Sequence, residues 1–357
     1  MPLADFGWGD FFERSFAAFA EKADVQPARV LIEFNHNYRL AAAQGEMEAV
    51  ISGRVKHLAR GRADLPAVGD WVAVRKRPEE DRGAIVAVLE RRSRFSRRMP
   101  GQITDEQVVA ANVDIVFVVM ALDDDFSPRR LERYLLMARE SGASPVVLLT
   151  KPDLAPDLAA LTADAVAVAG DVPVHVLSPK SNQGLEQVAQ YLTAGRTGAL
   201  LGSSGVGKST IINRLAGADL QRTREVRAAD SKGRHTTTHR ELVLLPDGGL
   251  IIDTPGMREL QLWDASDGIR GTFEDIQALT GRCRFTDCRH RGEPDCAVTA
   301  AVEAGALPAT RLDSYLKLQD ELAHLARQQD ERSQIEEKRR GKIGAKAMRQ
   351  VTRLKRG

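Results

Sequence analysis

The sequence predicts three folds in succession: an all-β barrel, an α/β domain of alternating strands and helices, and a small, mainly α domain built around cysteines. Three observations predict them. Between residues 28 and 98, short runs rich in β-branched and aromatic residues alternate with glycines, the texture of a small barrel. From about residue 108, apolar runs alternate with amphipathic segments, the texture of a doubly wound sheet. All three cysteines of the chain lie between residues 283 and 296. At 357 residues, two or three domains are the expectation.

Composition narrows the function class. Hydrophobic content of 43% and charged content of 28% are ordinary for a globular chain. There is no run of about 18 apolar residues, so no membrane partner is expected. Asp5, Asp10 and Glu13 stand where a secretory signal carries basic and then apolar residues. Three clustered cysteines argue for a metal site in a reducing compartment, not a disulfide framework, and so for a cytoplasmic location. The net charge of +2 hides segregation: residues 338–357 hold nine Lys/Arg and no acid, and residues 52–100 hold thirteen against six acids. Two basic regions on an otherwise acidic chain suggest a polyanionic partner. A solubilising tail and a solvated strand face are the alternatives.

Residues 1–27 form an N-terminal helical extension, with Phe12, Phe16 and Phe19 at helical spacing to dock on the body. Residues 28–100 read as an OB-fold RNA-binding domain, with strands at Arg29–Phe34, Ala49–Ile51 together with Arg54-Val55, Trp71–Val74 and Gly83–Leu89. Arg54, Lys56, Arg60, Arg62, Arg75, Lys76 and Arg77 lie on or near those strands, as in nucleic-acid-binding barrels. The cluster Arg91–Arg98 reads as a phosphate-contacting segment or a solvated linker. Residues 105–262 form the α/β domain. Val113–Met120 is nearly all apolar, as in a buried parallel strand. Pro128 opens a helix, Pro145–Leu149 and Val172–Leu177 are further strands, and Pro246-Asp247-Gly248 turns a hairpin. Residues 263–330 form the mainly α, zinc-binding domain, and 331–357 a basic C-terminal tail without apolar periodicity.

The chemistry centres on Gly202-Ser203-Ser204-Gly205-Val206-Gly207-Lys208-Ser209-Thr210, a match to the phosphate-binding P-loop. Its glycines let several backbone N–H groups converge on one anion, and the following helix adds positive potential. Lys208 is expected on the β- and γ-phosphates and Ser209 on Mg²⁺. Thr150-Lys151-Pro152-Asp153 looks like the base-reading loop of GTPases. A carboxylate at Asp153 accepts from the N1–H and the amino group of guanine together, whereas adenine presents an acceptor at N1. Asp153 therefore opposes an ATPase reading. Ser178-Pro179-Lys180 resembles the loop that supports the guanine O6, although Pro179 has no N–H and a simple strand-end turn stays open. Asp253-Thr254-Pro255-Gly256 matches the Asp-x-x-Gly motif, with Asp253 toward Mg²⁺ and the Gly256 N–H toward the γ-phosphate. Met257 comes next, where Ras-like GTPases carry the Gln that orients water. His235, in Gly233-Arg234-His235-Thr236-Thr237-Thr238, is the candidate for that role; a surface histidine is the alternative. Thr236 and Thr237 are candidates for contact with nucleotide, Thr237 through Mg²⁺. Base-reading loop first and P-loop later is the order of a circularly permuted P-loop GTPase domain. Finally, Cys283, Cys288, His290 and Cys296 make a closed tetrahedral set for one structural Zn²⁺, with reduced, unliganded thiols as the alternative.

Together these motifs resemble the ribosome small-subunit-dependent GTPase A family over nearly the whole chain. The resemblance implies a cytoplasmic GTPase that hydrolyses GTP to GDP and binds the 30S subunit and its rRNA late in maturation. It also implies slow intrinsic hydrolysis stimulated by the ribosomal particle, with His235 implicated in catalysis. A monomer is expected. The competing reading is a GTP switch acting on protein effectors through the zinc domain.

Overall fold

The structure is a computed structural model that describes residues 2–22, 24–34, 36–76, 82–98, 106–123, 126–217, 240–253, 273–320 and 323. The chain divides into two compact units, Met1–Gln261 and Leu262–Gly357.

The first unit begins with a closed barrel. Strands β1 (Val25–Phe34), β2 (Asn37–Ala42), β3 (Gly45–Ile51), β4 (Trp71–Arg75) and β5 (Arg82–Val88) pair in the order β1-β2-β3-β5-β4, and β4 returns to β1. Only β3 and β5 run parallel, so the chain needs a crossover between them. Residues 52–70 and β4 supply it. Alternating positions point inward, and Ala28, Val30, Leu40, Ala42, Val72, Val74 and Ile85 form the barrel core. The expectation that Arg54 and Val55 extend the strand at Ala49–Ile51 is overturned: they lie in helix α2 (Gly53–Leu58). The physical reason is Ser52, whose hydroxyl accepts from the Val55 N–H at 3.3 Å and caps a new helix.

The N-terminal helix, Asp10–Ala20 (α1), docks on the barrel through Phe12, which is buried. Trp8 and Phe12 pack on Trp71 with ring centroids 4.7 and 5.6 Å away. Beside them Arg29 is buried on β1. Its guanidinium donates to the carbonyls of Phe6, of Gly69 at 3.2 Å and of Asn112 at 3.0 Å, which ties three separate segments together. Burial pushes its pKa down to about 10, so it stays charged at neutral pH.

One arginine of the Arg91–Arg98 cluster, Arg91, is largely internal, contrary to the reading of that cluster as a solvent-facing contact, whereas Arg92 is exposed. Arg91 donates from Nε and a terminal nitrogen to both oxygens of the fully buried Asp70, at 2.8 and 2.7 Å, and to the carbonyls of Ala63 and Leu65. This bidentate pair has its remaining donors satisfied, the condition under which a buried charge pair is tolerated. Arg92 lies over the Phe12 ring and 3.6 Å from Asp114. Both side chains tie the barrel to its neighbouring segments.

After a two-stranded sheet of β6 (Arg94–Arg98) and β7 (Glu106–Ala111) comes the main sheet. It contains β8 (Ile115–Ala121), β9 (Ser144–Thr150), β10 (Val174–Val176), β11 (Thr197–Leu201), β12 (Glu241–Leu244) and β13 (Leu250–Asp253), in the order β10-β9-β8-β11-β13-β12. All are parallel except β12, which forms a hairpin with β13. Every residue of β8 is buried, as a strand covered on both faces requires. Helices α3 (Pro128–Glu140), α4 (Leu158–Ala169) and α5 (Leu185–Ala189) make the connections. Ser127 caps α3 and Pro128 opens it, the favoured residue types at those positions. The barrel and this sheet are continuous, because Ile32 of β1 pairs with Glu241 of β12.

Candidate nucleotide site and metal centre

Parallel strands place all their C-terminal loops on one sheet edge, where ligands of open α/β sheets bind. Four of the sequence-identified motifs meet there. β11 ends at Leu201 and the P-loop begins. Gly202 has φ +157°, and a Cβ there would lie 2.3 Å from the Val119 carbonyl oxygen on β8, so only glycine fits. Gly205 and Gly207 also have positive φ. A helix over 208–217 comes next, with Ser209 and Thr210 in its first turn and Val206 buried beneath the loop. The ammonium of Lys208 spans the loop and donates to the carbonyls of Gly202, at 2.8 Å, and Ser203.

The loop at 150–153 is fastened directly to the P-loop. Thr150, fully buried at the end of β9, donates its hydroxyl to the Val206 carbonyl at 2.7 Å. Its hydroxyl therefore performs the loop-holding role that an asparagine amide performs in the common motif. Lys151 takes the left-handed conformation, φ 57°, and its ammonium meets Asp123 at 2.8 Å. Asp153 sits exposed in the short 3₁₀ turn Pro152–Leu154. The third loop is closed by Ser178 and Gln183, whose N–H and carbonyl groups exchange hydrogen bonds of 3.0 and 3.1 Å. Arg214, on the P-loop helix, donates to the carbonyl of Pro179 at 3.2 Å and of Lys180 at 3.4 Å. Asp253 ends β13 on the same edge. His235, Thr236, Thr237 and Gly256 lie outside the described residues.

Two supports were not singled out in the sequence. Arg130 and Tyr134 of α3 reach the Ser203 hydroxyl at 2.9 and 3.3 Å. Asp123 anchors Lys151 from the loop after β8. The acidic run Asp123–Asp125 following an apolar strand was the available signal for the second; the first had none, since 73 residues separate Arg130 from Ser203.

The chain matches the model of the RsgA GTPase family over residues 88–263. It is 50% identical over 339 residues to the small ribosomal subunit biogenesis GTPase RsgA of Opitutus terrae, covering 92% of each chain. The chain belongs to the RsgA GTPase family. Another RsgA, from Syntrophotalea carbinolica, is 43% identical over 353 residues, with 96% of this chain and 95% of the relative covered. Among solved structures, YjeQ from Thermotoga maritima superposes with a TM-score of 0.64 at 25% identity, covering 84% of this chain and 99% of that one. YloQ, described as a circularly permuted GTPase, gives a TM-score of 0.59 at 24% identity. The permuted order is visible in this RsgA family member itself: β9, with the loop at 150–153, precedes the P-loop strand β11 in the chain, and β8 lies between them in the sheet.

The second unit of this RsgA GTPase carries the cysteine and histidine cluster. The candidate ligand atoms of Cys283, Cys288, His290 and Cys296 all lie within 4.8 Å of one another. His290 Nδ1 is 3.6 Å from the Cys283 sulfur and 3.4 Å from that of Cys296. A tetrahedral Zn²⁺ with ordinary Zn–S and Zn–N bonds has S···N edges of about 3.5 Å, so the donor set is compatible with that ion. Cys296 also caps the helix Ala297–Glu303, its sulfur accepting from the Thr299 N–H at 3.5 Å. Burial pushes this thiol up, but donors from Thr299 and His290 outweigh it and bring the pKa down to about 6. Glu293 braces the loop, accepting from the N–H groups of Arg289 at 3.1 Å and Arg291 at 2.7 Å, and those bonds lower its pKa. His290 is buried near Tyr315 in a small core with Phe273, Ile276 and Val298.

Proposed function

We propose that this chain is a GTP hydrolase of small ribosomal subunit biogenesis, which binds the 30S particle and its rRNA late in maturation. The family supports the first part: the relatives are named small ribosomal subunit biogenesis GTPases. One observation carries the nucleotide reading, namely the 2.7 Å bond from Thr150 to the P-loop carbonyl of Val206. It holds the loop that carries Asp153 and the P-loop in one frame, which supports a base-reading carboxylate beside a phosphate cradle.

In that frame the P-loop N–H groups and Lys208 hold the phosphates, and Asp153 reads the base with Lys151 and the loop at Ser178 beside it. Ser209, Thr237 and Asp253 would hold Mg²⁺, which would neutralise the charge that develops on the phosphates. Thr236 and the Gly256 N–H lie toward the γ-phosphate. His235 orients water, because Met257 has no group to do so. Cys283, Cys288, His290 and Cys296 hold one structural Zn²⁺. The domain borders are those of the sequence reading: extension 1–27, barrel 28–100, GTPase domain 105–262, zinc domain 263–330 and tail 331–357. Among the described residues no helix is long and apolar enough to cross a membrane. A ribosomal partner supports a cytoplasmic location, and the protein acts as a monomer.

The test is GTP turnover with and without purified small ribosomal subunits. Stimulation of at least about tenfold is expected, and an unchanged rate rejects the particle as activator. Asp153→Asn is expected to lower GTP affinity by about 1–3 kcal/mol, since a hydrogen-bonding edge of the base loses its match, and to relax GTP-over-ATP discrimination. Competition binding with the two nucleotides measures it; retained discrimination removes Asp153 from base reading. His235→Ala is expected to lower stimulated kcat about 10²-fold or more with little change in GTP affinity. Stimulated turnover at the wild-type rate removes His235 from the mechanism.

A further inference from the structure

We infer that the barrel meets RNA through its α2 end, residues 53–62, and not through its strand face, and that the partner there is the phosphate backbone of duplex RNA. The inference rests on the ribosomal reading above and names the surface that reading leaves open.

Charge on the strands is cancelled in place. Arg39 lies 3.9 Å from Glu46, Arg75 is 2.6 Å from Asp24, and Arg82 is 3.2 Å from Glu48. Each pair is partly solvated, so it contributes little stability, yet it leaves these three arginines no net positive charge to attract a polyanion. The α2 end differs. Arg54, Lys56, His57, Arg60 and Arg62 are all exposed within nine residues. Among the described residues, no carboxylate pairs with the side chains of Arg54, Lys56 or Arg60. The next acid, Asp64, is turned to other work: it accepts from the Arg60 backbone N–H at 2.7 Å and adds to the field that holds Arg91 charged.

Two further features select duplex backbone over unpaired bases. Single-strand-binding barrels stack bases on aromatic rings. Residues 51–65 contain no Phe, Tyr or Trp. In their place Leu58 is 64% exposed, the most exposed large hydrophobic among the described residues. It lies four positions after Arg54, on the same helical face. An apolar residue flanked by cations suits the wide, shallow minor groove of A-form RNA, with ribose in the middle and phosphates on either side. Such contact reads shape, not sequence.

The experiment uses the full-length chain, purified small ribosomal subunits and a duplex RNA of unrelated sequence. Binding is measured against salt for wild type, Arg54→Gln/Lys56→Gln/Arg60→Gln, Leu58→Ser and, as the strand-face control, Arg39→Gln/Glu46→Gln. Thermal unfolding confirms that each variant folds. Each lost phosphate contact reduces the salt slope by about 0.7–0.9, so the triple variant is expected to lose about 2 from its slope on both ligands. Leu58→Ser is expected to weaken binding with the slope unchanged, and the control is expected to match wild type. A wild-type slope for the triple variant on duplex RNA, or an equal loss in the control, overturns the inference. An equal loss on anionic vesicles also overturns it, since RNA is then not the selected partner. Wild type that binds duplex RNA through α2 but ignores the subunit rejects the ribosomal reading instead.

Discussion

Lys208→Ala is expected to abolish measurable GTP turnover, a fall of about 10³-fold or more in kcat. The ammonium has two jobs at one place. In the proposed function it supplies fixed positive charge where the γ-phosphate oxygens gain negative charge, and single donors of that kind are worth about 2.7–4 kcal/mol in other enzymes. It also bridges the carbonyls of Gly202 and Ser203 across the P-loop. Alanine leaves both oxygens facing a phosphate, lone pair against anion. Ground-state binding therefore falls together with catalysis. Lys208→Arg is not expected to rescue, because a planar fork cannot replace a compact point charge threaded between two carbonyls. Single-turnover hydrolysis in the presence of small subunits, with GDP affinity measured alongside, separates the two effects. Turnover within tenfold of wild type would show that this lysine is not on the phosphates.

The second large effect is metal removal. Chelation, or Cys296→Ser, is expected to unfold residues 273–320, read as loss of helical signal and rapid proteolysis there. GTP binding by the first unit is expected to persist. The described core of the second unit is small, built on Phe273, Ile276, Val298, Leu307, Tyr315 and Leu318. A core of that size seldom supplies more than about 3–5 kcal/mol, whereas structural zinc in finger peptides is worth about 10–16 kcal/mol. Metal-free molecules that remain folded carry a pH signature as well. Cys296 has its pKa lowered from 9.0 to about 6, so the folded state favours its thiolate. That contribution is complete above the unfolded value near 9 and is lost as pH falls through about 6. Released metal counted against chain, with a colorimetric chelator, is expected to approach one per chain. A unit that stays folded in chelator with no metal released excludes the zinc assignment.

The nucleotide site was largely legible because its geometry is local. A glycine at 202, 205 or 207 reports a backbone constraint in its own identity, and the order of the loops along the chain reports the permutation. The loop that begins at Thr150 was legible for the same reason, since it ends an apolar strand. The basic residues were harder. Arg91 and Arg92 stand in a run that looks like a polyanion contact, yet both are engaged by other residues of the first unit, Arg91 largely buried and Arg92 at its surface. Nothing within a few residues distinguishes them from Arg94, because Asp70, Phe12 and Asp114 are remote in the chain. Arg29 is the same case, held by carbonyls up to 83 residues away. A barrel was legible in the strand texture, but not the pair that closes it: β4 joins β1 through pairs such as Val25 with Arg75. Only Ser52-Gly53, a cap followed by a flexible residue, marked the helix that the strand reading overran.

β1 carries one further consequence. Its first half, Val25–Arg29, is used by β4, and Ile32 beyond it receives β12. During synthesis every strand of the barrel has emerged by residue 88, whereas the main sheet lacks its P-loop strand until residue 201 and its hairpin until residue 253. N-terminal segments generally fold first as they emerge. The barrel therefore stands complete with a short stretch of unpaired strand edge on offer, and the last hairpin to arrive finds its place already marked. An edge that would invite another chain is kept for this one.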